Sequence, residues 1–120
     1  LKTKASERIV PLVGASLWAA QRLSEKSDSD FCLPRYTNKD RCNSNSASAA
    51  INKWVKSVAG DEAVIHGLRH SFRDRLRAAE APSELIDQLG GWSLQSVGQS
   101  YGNGYALENL SSWMDKIVIR

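Results

Sequence analysis

Residues 66–101, reading HGLRHSFRDRLRAAEAPSELIDQLGGWSLQSVGQSY, constrain this chain more than any other stretch. From about residue 66 to residue 81, Leu68, Phe72, Leu76 and Ala79 fall on one apolar stripe of a helix, while Arg69, Arg73 and Arg77 follow one another at i+4. Such a helix buries one face and keeps a basic face beside it. Pro82, with Ser83 and Glu84, then starts a short helix through Leu85, Ile86 and Leu89, and Gly90-Gly91 terminates it. The turn delivers Trp92. From Ser93 a further short helix is expected to carry Val97 and Tyr101. After the Gly102-Asn103-Gly104 break a last helix begins near Ala106, with Leu107, Leu110, Trp113 and Met114 on one side. Ile117, Val118 and Ile119 hint at a final strand.

The amino-terminal half is read by the same rules. Residues 7–13 are rich in β-branched side chains and contain Pro11, which suits a short edge or terminal strand. Residues 15–26 place Leu17, Trp18, Ala20, Gln21 and Leu23 in helical register, closed by a Ser/Asp cluster. Phe31, Cys32 and Leu33 form a short apolar run halted by Pro34. The polar stretch 35–46 has no period and reads as loop, and its Lys39, Asp40 and Arg41 read as solvated charge. A second helix is expected over 46–58, with Ala47, Ala50, Ile51, Trp54, Val55 and Val58 on a core-facing stripe and Gly60 as the stop. The fold class is therefore mainly α (α+β): helices with a short N-terminal β-strand and no internal repeat.

A length of 120 residues with 42% hydrophobic content is enough for one core and too little to promise two, so residues 1–120 read as one domain or a piece of one. The formal charge of +3 is compatible with a polyanionic partner but favours one only weakly. Cys32 and Cys42 lack a CxxC spacing and are too few for a disulfide scaffold, and no apolar run is long enough to span a bilayer. A reducing cytoplasm without membrane attachment is the expected setting.

The pattern His66-x-x-Arg69, Leu89-Gly90-Gly91-Trp92 and Tyr101 resembles the tyrosine recombinase (phage integrase) family. The resemblance reaches the first residues, where KTKASERIVPL over 2–12 looks like that family's lysine-bearing β-hairpin strand, so it covers nearly the whole chain. It implies the carboxy-terminal part of an integrase catalytic domain, encoded by a bacterium or phage. Such enzymes cut and rejoin double-stranded DNA, assembled as tetramers on their sites, and need no cofactor.

Metal-free cleavage of a phosphodiester requires a nucleophile, positive groups around the non-bridging oxygens and an acid for the departing 5′ oxygen. By the resemblance Tyr101, nine residues after Trp92, is the nucleophile and forms a transient 3′-phosphotyrosyl link. A tyrosine taken blindly is far more often a half-buried packing residue, and Tyr105 is the close rival. Arg69 offers a planar fork of donors to two phosphate oxygens, against surface solvation as the plain alternative. His66, three residues earlier, is by resemblance a phosphate-binding or acid/base group. Trp92 stands where many relatives have a second histidine; its indole N–H can donate to a phosphate oxygen but cannot shuttle a proton, and it can equally plug a core. Proton handling then falls on His66 and a lysine. Lys2 best matches the family's general acid, with Lys4 as rival or DNA contact. For Arg73, Arg75 and Arg77 solvation is preferred, with Arg73 the one expected to reach backbone phosphate.

His66 and His70 also form H-x-x-x-H, but the peptidase pattern needs Glu where Gly67 stands and no third ligand is evident, so no metal is expected and His70 reads as a helix-packing residue. One departure matters. The family has a further catalytic arginine upstream of the hairpin, usually with a nearby glutamate, and nothing before Lys2 supplies it. With a leucine at position 1, the expectation is a fragment of a longer protein, lacking that arginine segment and an amino-terminal DNA-binding domain, inactive alone and weak in salt-sensitive DNA binding. Two alternatives stay open: a non-catalytic DNA-binding remnant of an integrase, and a type IB topoisomerase-like enzyme, which would relax supercoils without paired sites.

Overall fold

A computed structural model describes residues 7–26, 28–92 and 104–119. Among the described residues five helices follow in chain order: α1 (Gly14–Lys26), α2 (Ser44–Ala59), α3 (Gly67–Ala78), α4 (Ser83–Gly90) and α5 (Leu107–Lys116). They fall into two compact units, Leu1–Trp18 with Ser71–Arg120 and Ala19–His70. Lys2, Lys4 and Tyr101, and the short helix expected from Ser93, lie outside the described residues.

The first unit holds the core. Leu76 from α3, Leu85, Ile86 and Leu89 from α4, Leu110 and Met114 from α5, and Ile117 just after it make one buried cluster. The apolar positions of α4 recur at i, i+1 and i+4, so a helix of only 8 residues turns most of one side inward. The final helix thus packs on its own unit. Arg75 of α3 closes this arrangement by donating from Nη2 to the carbonyl of Ile117, just past α5, where carbonyls lack helical partners. Arg75 is therefore a tie between elements rather than a solvated charge. Arg77 does meet solvent, with a loose i+3 pair to Asp74 at 3.7 Å that contributes little.

Leu85 is fully buried in this cluster. Leu85→Ala is expected to destabilise the unit by about 2–5 kcal/mol, the transfer loss plus an incompletely collapsed cavity. A urea titration of the substituted chain checks this, and an unchanged midpoint would mean that Leu85 is not at the centre of the core.

Residues 7–13 form no strand. A strand needs a ladder partner, and Pro11 has no N–H to give one; the segment is held instead by side chains, with Val10 and Val13 packed on the core and Arg8 Nε donating to the Leu89 carbonyl at 2.8 Å. The strand expected around Ile117–Ile119 is likewise not formed: Ile117 is drawn into the core and its N–H returns to Met114. Among the described residues the β-structure is one isolated bridge, Thr37 with Cys42.

That bridge orders the second unit's long loop. Asn38 Oδ1 accepts from the backbone N–H groups of Asp40 and Arg41, both at 3.0 Å, and Asn43 N–H donates to the Tyr36 carbonyl at 2.7 Å. A stretch without period is thus tied by its own asparagines. Asn43 then caps α2, its Oδ1 accepting from Ser46 N–H. The stripe on α2 is in register but is not core: the helix has no buried residue, and Trp54 and Val58 are 64% and 65% exposed. Periodicity identifies an apolar face, whereas burial requires another element over it.

Candidate active site

The candidate residues that are described occur in both units, and each unit is taken by itself. The second unit carries His66 and Arg69. Three backbone N–H groups in the turn leading into α3, those of Gly67, Leu68 and Arg69, donate to carbonyls three residues back, so His66 sits one residue ahead of the helix. Asn52 of α2 holds this turn, its Oδ1 accepting from Ile65 N–H at 2.7 Å. His66 is exposed and Arg69 half-buried. The rings of His66 and His70 meet edge to face at 5.4 Å between centroids. His70, expected to be a helix-packing residue, is exposed, with its ring against that of His66. Among the described residues no third His, Cys, Asp or Glu completes a metal-ligating group with this pair.

The first unit carries the Gly-Gly-Trp turn. Gly91 adopts the left-handed conformation at φ 63°, where its N–H donates to the Gln88 carbonyl at 3.3 Å and Trp92 N–H donates to the Asp87 carbonyl at 3.0 Å. This pair of bonds closes a helix end in the Schellman manner and needs a residue tolerant of positive φ. Gly90 has a different task. A Cβ at Gly90 would coincide with the six-membered ring of Trp92, so the missing side chain is the space the indole occupies. Two adjacent glycines thus serve one tryptophan, one by conformation and one by volume.

Arg73 lies against this turn. Its Cζ lies 4.8 Å from the centroid of the Trp92 ring, and its Nη2 is 3.3 Å from Asp87 Oδ1. Gln88, the next residue of α4, reaches the far end of the segment after Trp92: Tyr105 N–H donates to Gln88 Oε1 at 2.8 Å, and Gln88 Nε2 donates to the Tyr105 carbonyl at 3.1 Å. Asp87 and Gln88 therefore hold Trp92 and Tyr105 respectively. Tyr105 itself is half-buried against the core.

Of the sequence-derived site residues, the structure brings His66 and Arg69 together at the start of α3, and Arg73 onto Trp92. Asn52, Asp87 and Gln88 were not foreseen. Nothing along the chain signalled the last two, since polar residues on one face of a short amphipathic helix ordinarily meet solvent.

The model of the phage integrase family matches residues 1–106. Most of the chain is covered, and the chain belongs to that family, whose members are DNA-cleaving and rejoining site-specific recombinases. No curated protein and no solved structure matches it. Among the described residues no helix is long and apolar enough to cross a membrane.

Proposed function

We propose that this chain is the carboxy-terminal part of the catalytic domain of a tyrosine recombinase, and that its parent protein integrates or excises a mobile element, such as a phage genome, by cutting and rejoining double-stranded DNA. The observation that carries this is the order of His66, Arg69, Trp92 and Tyr101 within the stretch matched by the family. His66 takes the phenolic proton of Tyr101 as that oxygen attacks the scissile phosphorus, a P–O bond to tyrosine forms, and the bond to the 5′ oxygen breaks. Lys2, or Lys4 in its place, protonates the departing oxygen. Arg69 neutralises the non-bridging oxygens as charge builds on them, and the indole N–H of Trp92 adds a neutral donor. In the reverse direction a 5′ hydroxyl attacks the phosphotyrosyl phosphorus and releases the tyrosine, so bond energy is conserved without ATP.

The arrangement supports this assignment in two ways. Tyr105, the rival nucleophile, has both backbone hydrogen-bonding groups engaged by Gln88 and its side chain half-buried. Trp92 is held in place by a turn built for it. Recombination of this kind takes place on chromosomal or phage DNA in the bacterial cytoplasm, with four subunits around two duplexes.

The test is a covalent trap. The parent chain is incubated with nicked suicide duplexes made from its element's junctions, and the products are resolved on a denaturing gel with peptide mass mapping. An adduct on Tyr101 is expected. Folded protein that binds the same DNA, with loss of binding as salt rises, yet yields no adduct would overturn the catalytic reading in favour of a DNA-binding remnant.

A further inference from the structure

We infer that Arg73 is a positioning residue that sets the indole of Trp92 for catalysis, and that it is not a contact to the DNA backbone. The inference rests on the reading of Trp92 as an active-site donor. It follows from a closed circuit within the first unit. Asp87 accepts Trp92 N–H through its main-chain carbonyl and Arg73 Nη2 through its carboxylate, while the guanidinium of Arg73 lies over the Trp92 ring. Backbone, carboxylate, cation and indole thus constrain one another, and Gly90 leaves the space in which the ring sits.

The surroundings of Arg73 argue against phosphate binding. The Asp87 side chain is only 13% exposed and that of Arg73 is 36% exposed. A guanidinium already paired with a largely buried carboxylate attracts a phosphate less, and withdrawing it would leave that carboxylate buried without its cation. Arg73 Nε is buried and, among the described residues, has no hydrogen-bond partner. Besides the Asp87 carboxylate, this cation has the π face of Trp92 within reach, which favours a planar guanidinium over it. Lysine cannot reproduce the arrangement, because a point-like ammonium does not stack while bridging to a carboxylate.

The test uses the parent chain carrying Arg73→Gln, Arg73→Lys, Trp92→Ala and the double substitution Arg73→Gln/Trp92→Ala. Two quantities are measured, the rate of adduct formation on suicide duplexes and the salt dependence of DNA affinity. A small displacement of a positioned group can slow chemistry by about a hundredfold. Arg73→Gln is expected to slow adduct formation by roughly ten- to a hundredfold, with affinity and salt slope unchanged. Arg73→Lys restores little, and Arg73→Gln causes no further loss once Trp92 is alanine. A backbone contact would instead weaken binding and lower the salt slope by about one, and it would add to Trp92→Ala; that result overturns the inference.

If Trp92→Ala alone leaves the rate unchanged, the assignment of Trp92 to the active site fails and the positioning role falls with it. If Trp92→Ala slows the reaction and Arg73→Gln does not, the positioning role alone fails. A readout independent of activity is the indole Nε1–H resonance of Trp92 in nitrogen-15-labelled protein. It is expected to move on Arg73→Gln and Arg73→Lys, and a resonance that stays in place overturns the inference even where no adduct forms.

Discussion

Tyr101→Phe in the parent chain is expected to abolish the covalent protein–DNA adduct completely while leaving DNA binding in place. Without the phenolic oxygen residue 101 can form no bond to phosphorus. The informative comparison is Tyr105→Phe, which should retain the adduct. The main chain of Tyr105 is gripped on both its N–H and its carbonyl by Gln88, and its side chain lies against the core, so losing the hydroxyl leaves these anchors in place. Denaturing gels of suicide-substrate reactions separate the two. An adduct that persists in Tyr101→Phe and vanishes in Tyr105→Phe would exchange the roles assigned to the two tyrosines.

Gly90→Ala is expected to have the second largest effect, because one methyl group must occupy the volume of the Trp92 ring. Either the indole swings away or the end of α4 shifts, and both displace a group proposed to donate to the scissile phosphate. Overpacking of this kind destabilises by about 1–3 kcal/mol, and loss of alignment should slow adduct formation by roughly a hundredfold. Gly91→Ala provides the contrast. Its penalty arises from the left-handed backbone at φ 63°, about 1–2 kcal/mol. Paired urea titrations and adduct rates distinguish volume from conformation. Equal rates for Gly90→Ala and the unsubstituted chain would show that the ring does not fill the glycine's space during catalysis.

Much of the helical framework was readable from residue order because it depends on local rules. Apolar spacing, the Pro82 start, the Gly91 stop and the break before α5 each act within one or two turns of chain, and the five helices lie close to where these signals place them. The strands were not readable in the same way. Residues 7–13 have a strand's composition, but a ladder depends on a partner elsewhere in the chain, and here Val10, Val13 and Arg8 attach the segment through side chains. The apolar stripe of α2 has the same lesson from the other direction, since its period is correct and its Trp54 and Val58 are nonetheless largely exposed.

The candidate site divides along the same line. By itself the sequence determined which chemical groups are available and in what order: a histidine and an arginine three residues apart at a helix start, a tryptophan after two glycines, and a tyrosine nine residues later. Spacing of that kind is a property of the covalent chain. Only the tertiary structure decided that Arg73 lies on Trp92 and pairs with Asp87, that Gly90 is a space for an indole, and that Gln88 anchors Tyr105. These contacts join residues 14 to 19 positions apart or depend on the volume one side chain leaves for another. Such distances and volumes exist only after α3 and α4 have packed around a shared core, so no pattern along the chain could have specified them.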